Sequence, residues 1–115
     1  MILKYTMNIL NNMLISRTKD LKIFLDRPKI AFVYFFDDFC QEITDTIDSF
    51  FNDKYDLNKI YLKVKVSSSP KIIEELKVTT YPIIMVYNNK KVVDEIYCNN
   101  ANRIEILEKL YNTIV

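Results

Sequence analysis

The sequence predicts a mixed α/β domain, and three observations carry that reading. From Met13 onward the spacing of apolar residues switches repeatedly between a period of two and a period near 3.6, as it does when strands and helices alternate. Ile30 to Phe36 reads Ile-Ala-Phe-Val-Tyr-Phe-Phe, an unbroken β-favouring run stopped by Pro28 on one side and Asp37-Asp38 on the other. Half of the 115 residues are hydrophobic and 27% are charged, the composition of one folded domain rather than a disordered tail.

The elements follow in order. Ser16 is a good helix N-cap ahead of Thr18 to Leu25, where Leu21, Phe24 and Leu25 recur at helical spacing until Pro28 forbids continuation. Ile30 to Phe36 is then a strand buried on both faces. Phe39, Ile43, Ile47, Phe50 and Phe51 form a helical stripe, with Gln41, Glu42, Thr44, Asp45 and Asp48 assigned to the solvent face. Lys59 to Val66 alternates Ile60, Leu62, Val64 and Val66 against Tyr61, Lys63 and Lys65, a strand with one strongly apolar face. Ser69 and Pro70 open a short helix through Leu76 as N-cap and first helical residue, with Ile72, Ile73 and Leu76 inward. Pro82 precedes a short strand, Ile83 to Tyr87. Asn88-Asn89 leads into Lys91 to Tyr97, an antiparallel hairpin whose Asn89 and Lys90 stand where such turns normally carry Asn-Gly. A last helix runs from about Asn102 to Ile114.

Composition also excludes chemistry. The chain has no glycine, where average usage gives roughly 8, so Walker and dinucleotide loops and calcium loops are absent. Without histidine there is no Ser-His-Asp or Cys-His nucleophile and no imidazole metal ligand, and two cysteines do not close a zinc site. No metal or cofactor is expected. Asp37-Asp38 reads as a solvated loop start, because no further oxygen ligands stand nearby. A formal charge of +1 gives no reason to expect nucleic acid as a partner. Cys40 and Cys98 do not form the framework of a secreted small domain, so a reducing, cytoplasmic setting is the default.

Residues 1–12 are expected to form an N-terminal extension to the domain of residues 13–115. Lys4, Asn8, Asn11 and Asn12 break its apolar run too often for a membrane span. A helix fits it best, with Ile2, Met7, Ile9, Leu10, Met13 and Leu14 on the side that docks on the domain. The rival reading is an organellar targeting segment.

With Cys40 opening the second helix, Lys63 in the central strand, Pro70 opening the third helix and Thr79-Thr80-Tyr81-Pro82 ahead of the hairpin, the chain resembles the thioredoxin family over about residues 13 to 114. Phe36-Asp37-Asp38-Phe39-Cys40 matches the family's aromatic approach to its nucleophilic cysteine. The resemblance implies a three-layer α/β/α sandwich around a central mixed sheet of four or five strands. It further implies a cis bond before Pro82, and a groove where Phe39, Gln41, Tyr81 and Pro82 face an extended peptide.

The departures from the family pattern bear on function. The motif positions read Cys40-Gln41-Glu42-Ile43, so the resolving thiol is replaced by isoleucine and exchange begun at Cys40 lacks its usual intramolecular finish. Where the family carries a buried aspartate stands Tyr34, which leaves Lys63 without that partner and expected to point outward, the alternative being Tyr34 or a carboxylate. The proline that usually kinks the second helix is Asp48, so the helix is expected to run straighter.

At the helix start, backbone N–H groups favour a thiolate on Cys40 while Asp37, Asp38 and Glu42 favour the thiol, and the sulfur is expected exposed at the tip. Cys98 falls where the family usually has glycine on the groove rim and is a conditional resolving thiol, provided the two Cα atoms come within about 7 Å. The implied function is thiol-disulfide homeostasis through one cysteine, forming mixed disulfides with proteins or glutathione and weak as a dithiol reductase. The alternative is a noncatalytic protein-binding or assembly module that keeps the groove.

Overall fold

The computed structural model describes residues 13–26, 30–54, 56–98 and 103–114; the 1–12 extension lies outside them. Strands β1 (Met13–Leu14), β2 (Ile30–Phe36), β3 (Lys59–Lys65), β4 (Ile83–Asn88) and β5 (Lys91–Tyr97) form a single mixed sheet in the order β1-β3-β2-β4-β5. β1 and β2 pair with β3 in parallel, while β4 pairs antiparallel with both β2 and β5. Helices α1 (Thr18–Asp26) and α3 (Pro70–Leu76) pack on one face of this sheet, and α2 (Gln41–Asn52) and α4 (Arg103–Thr113) on the other.

The unbroken apolar run of β2 is explained by this layering. Ala31, Val33 and Phe35 enter the core under α1 and α3, while Ile30, Phe32 and Tyr34 enter the core under α2 and α4. A two-faced strand has no room for alternation. β3 is buried on both faces as well: Tyr61, assigned a polar face by its alternation, is fully covered and stacks on Phe51 of α2, ring centroids 4.1 Å apart. Burying side chains such as Ile47 and Phe51 contributes about 2 kcal/mol each and fixes α2 across the sheet.

Three local expectations change. Met13 and Leu14, placed on the stripe of the extension, belong to the edge strand β1, where Leu14 is exposed and Ile15 is the anchor, its N–H donating to the Lys63 carbonyl at 2.7 Å. Ser69 occupies the N-cap of α3 without capping it: its hydroxyl is buried without a partner, and only its carbonyl joins the helix, accepting from Ile73 N. Asn88, placed in the turn, belongs to β4 instead, which leaves Asn89-Lys90 as the turn at the positions expected for Asn-Gly; both take positive φ, 51° and 70°.

Candidate functional site

Register brings the candidate residues to one end of the sheet. Phe35 of β2 lies opposite Ile83 of β4, so the turn after β2 meets Pro82, and Ile83 lies opposite Tyr97, so Cys98 follows directly across from Pro82. Cys98 N donates to the Pro82 carbonyl at 3.0 Å, and the peptide bond between Tyr81 and Pro82 is cis. This is the carboxyl end of the parallel strands, where ligand sites of open α/β sheets concentrate.

The turn into α2 is held by a short 3-10 segment, Asp38–Cys40. Asp37 caps it, its Oδ1 accepting from Asp38 N at 2.9 Å and from Ser67 Oγ at 3.1 Å, which ties the end of β2 to the end of β3. Asp38 pairs with Lys65 at 2.8 Å on the surface. The two carboxylates are thus structural groups of the turn. Phe39 is 71% exposed and its ring centroid lies 5.7 Å from that of Tyr81, so the two aromatic rings stand together beside the cis bond. Gln41 is exposed and donates to Asp45 Oδ1 at 2.7 Å.

Both cysteines differ from expectation in exposure. Cys40 does occupy the N-cap of α2, at the end of the 3-10 turn, yet it is only 4% exposed rather than open at the helix tip. Cys98 is a core residue and not a rim residue. It is 3% exposed, its Sγ donates to the Ile96 carbonyl at 3.3 Å, and with Ile43, Ile47 and Ile84 it lines a narrow crevice under α2. Burial pushes its thiol up to about 12. Both thiols are free. Ile43, at the position of the missing second thiol, fills part of the same crevice.

No model of a known protein family matches the chain, and no curated protein matches it in sequence. Solved structures do match in shape. The chain is similar to the thioredoxin of Malassezia sympodialis at a TM-score of 0.77 and 14% identity, covering 90% of this chain and 92% of that one. It is similar to Trypanosoma brucei brucei thioredoxin at 0.74 and 13%, covering 91% and 92%. Against the Schistosoma mansoni thioredoxin pre-protein the values are 0.73 and 19%, covering 90% and 99%. The chain has the thioredoxin fold.

Within this thioredoxin fold the polar groups beneath α2 are rearranged. Lys63 does not point outward: it turns under α2 and its Nζ meets Asp48 Oδ2 at 3.0 Å, while Tyr61 Oη donates to Asp48 Oδ1 at 2.8 Å. Lys63 Nζ also lies 5.2 Å from the centre of the Phe36 ring. Tyr34 cannot offer lysine a carboxylate and instead shares a buried hydrogen bond with Thr44 at 2.9 Å. Burial, followed by smaller contributions including Asp48, holds the Tyr34 and Tyr61 phenols well above their ordinary range, so both stay neutral donors or acceptors.

Sequence reasoning missed Thr44 and Asp48, which it placed on the solvent face of α2. The signal was present as spacing. Cys40, Thr44 and Asp48 stand four apart, one stripe of an α-helix, and that stripe faces the sheet beside the apolar one. α2 is one continuous helix from Gln41 through Asn52, with Asp48 inside it. Among the described residues no cluster of metal-ligating side chains occurs, and no helix is long and apolar enough to cross a membrane.

Proposed function

We propose that this thioredoxin-fold protein works in thiol-disulfide chemistry through Cys40 alone. The observation that carries this reading is the conjunction at one end of the sheet of Cys40 at the start of α2, the Phe39–Tyr81 aromatic pair and the cis bond before Pro82, with isoleucine in place of a second thiol. The Cys40 thiolate attacks a protein or glutathione disulfide, one sulfur of that disulfide leaves as a thiolate, and Cys40 remains in the mixed disulfide. A second external thiol, such as glutathione, then attacks to restore Cys40 and carry the partner away as a new disulfide. An extended peptide takes the groove of Phe39, Gln41, Tyr81 and Pro82. At 4% exposure Cys40 reacts only when the 37–40 turn opens, which makes exchange slow.

Cys98 contributes as a resolving thiol only through opening of the β5 end, since its sulfur is buried and protonated at neutral pH. Insulin reduction coupled to thioredoxin reductase, run beside Cys40→Ser and Cys98→Ser, tests the assignment. Little turnover is expected, with mixed disulfides that vanish in Cys40→Ser and persist in Cys98→Ser. Turnover at the rate of dithiol thioredoxins contradicts it, and the absence of any Cys40 adduct leaves the groove as that of a binding module.

A further inference from the structure

Three successive residues ahead of Cys40 each reach another part of the fold. The Asp37 carboxylate accepts from Ser67 Oγ, just past β3, at 3.1 Å; Asp38 pairs with Lys65, the last residue of β3, at 2.8 Å; and the Phe39 ring centroid lies 5.7 Å from that of Tyr81. Cys40 follows them and is buried. The elements on either side are fixed, since β2 pairs with β3 as far as Phe36 and α2 is anchored by the buried Ile47 and Phe51. Local opening between them is confined to residues 37–40.

Magnitudes single out Asp37. The Asp38 side chain is 85% exposed, and a surface ion pair of that kind contributes little. Phe39 stays largely exposed, so its ring contact removes little area from water. Asp37 has three ties. Its Oδ1 accepts from Asp38 N at 2.9 Å and from Ser67 Oγ, and its main-chain carbonyl accepts from Cys40 N at 2.9 Å, which closes the turn. Its backbone is extended, φ −144° and ψ −177°, as a capping residue requires. One side chain thus caps the turn and grips the segment after β3, so it governs both the shape of the turn and its attachment to the sheet.

We propose that Asp37 is a positioning residue for Cys40: by joining Asp38 N to Ser67 Oγ it holds the 37–40 turn in the form in which the thiol is buried, so that Cys40 meets a partner only in the fraction of time these bonds are released. This rests on Cys40 as the reacting thiol and adds what sets its rate.

Alkylation of the native full chain by iodoacetamide, followed cysteine by cysteine with mass spectrometry, tests this. Asp37→Ala is expected to speed modification of Cys40 roughly tenfold, the combined effect of a lost cap and a lost tie to Ser67. Ser67→Ala, at an exposed position that leaves the cap in place, is expected to speed it about two- to fivefold. Asp37→Asn keeps the accepting oxygen while removing the charge, and is expected to hold Cys40 near its native rate. Cys98 is buried in the core, reports wider opening, and is expected to stay slow throughout. An unchanged Cys40 rate in either alanine variant overturns the proposal. So does equal acceleration by Asp37→Asn, which makes the effect one of charge on the thiol, or parallel acceleration of Cys98 in both alanine variants, which makes it loss of the whole fold. Iodoacetamide needs no disulfide partner. An accelerated Cys40 that still forms no adduct with glutathione disulfide fails the exchange reading and leaves the role of Asp37 standing.

Discussion

Replacing Asp48 by alanine removes the acceptor of two hydrogen bonds, from Tyr61 Oη at 2.8 Å and Lys63 Nζ at 3.0 Å. Hydrogen bonds to charged groups contribute about 1.5–3 kcal/mol each, and stripping one partner from a fully buried ion pair costs about 3–5 kcal/mol. The side chains of Lys63 and Asp48 keep 16% and 22% of their exposure, so water partly compensates the stranded ammonium. Tyr61 is fully buried, so water does not replace the hydrogen bond it loses to Asp48. The expected loss is about 2–4 kcal/mol, below the fully buried limit and well above a surface pair. Urea unfolding measures it, as a lowered midpoint at unchanged m-value. A double-mutant cycle with Tyr61→Phe isolates the phenol's share, with a coupling above about 0.5 kcal/mol expected for groups in contact. Asp48→Leu combined with Lys63→Met removes both charges and is expected to recover most of the loss. A loss under about 0.5 kcal/mol for Asp48→Ala would refute the reasoning, since that is the range of ordinary surface substitutions.

Other outcomes follow from the same geometry. Ser69→Ala, which at an ordinary N-cap costs about 1 kcal/mol, is expected to be neutral or stabilising in urea unfolding because the buried hydroxyl bonds to nothing. Lys77 ends α3 at φ 54° and Lys90 holds the hairpin turn at φ 70°, so Lys77→Gly and Lys90→Gly are each expected to raise stability by roughly 1 kcal/mol; a lower melting temperature for both contradicts the strain assigned to these positions. Burial raises Cys98, Tyr87 and Tyr111 from 9.0, 10.0 and 10.0 to about 12 each. The unfolded chain therefore releases these protons first, and their stabilisation, complete below pH 9, declines between pH 9 and 12 by up to about 1.4 kcal/mol per group and pH unit. Urea midpoints across that window check this, and Cys98→Ala is expected to flatten its lower part.

The fold was legible because its elements are local and strongly patterned. Pro28, Pro70 and Pro82 punctuate the chain, β2 is apolar throughout, and α2 carries a clean helical stripe. Less legible was whatever depends on the neighbour above or below. Thr44 and Asp48 are polar residues on α2 and read as solvated, since nothing in the sequence announces that Tyr34, Tyr61 and Lys63 reach up from the sheet to meet them. Lys63 followed the same logic in reverse: with Tyr34 in the strand it lost one partner, and the replacement came from another element. Cys40 and Cys98 were placed correctly along the chain and wrongly in depth. The first is buried at the end of a 3-10 turn, and one residue past β5 the side chain of the second turns into the core. The Asn89-Lys90 turn shows the opposite case, where a hairpin forms at positive φ without glycine because strand pairing on either side dictates it.

Glutathione disulfide provides the most direct measurement. The native full chain is incubated with it at neutral pH, and the modified cysteine is mapped by mass spectrometry. The account predicts one glutathione adduct, on Cys40, absent from Cys40→Ser, retained in Cys98→Ser and released by added glutathione. An adduct on Cys98, a Cys40–Cys98 disulfide as the dominant product, or an unmodified chain whose thiols react only after unfolding would contradict it.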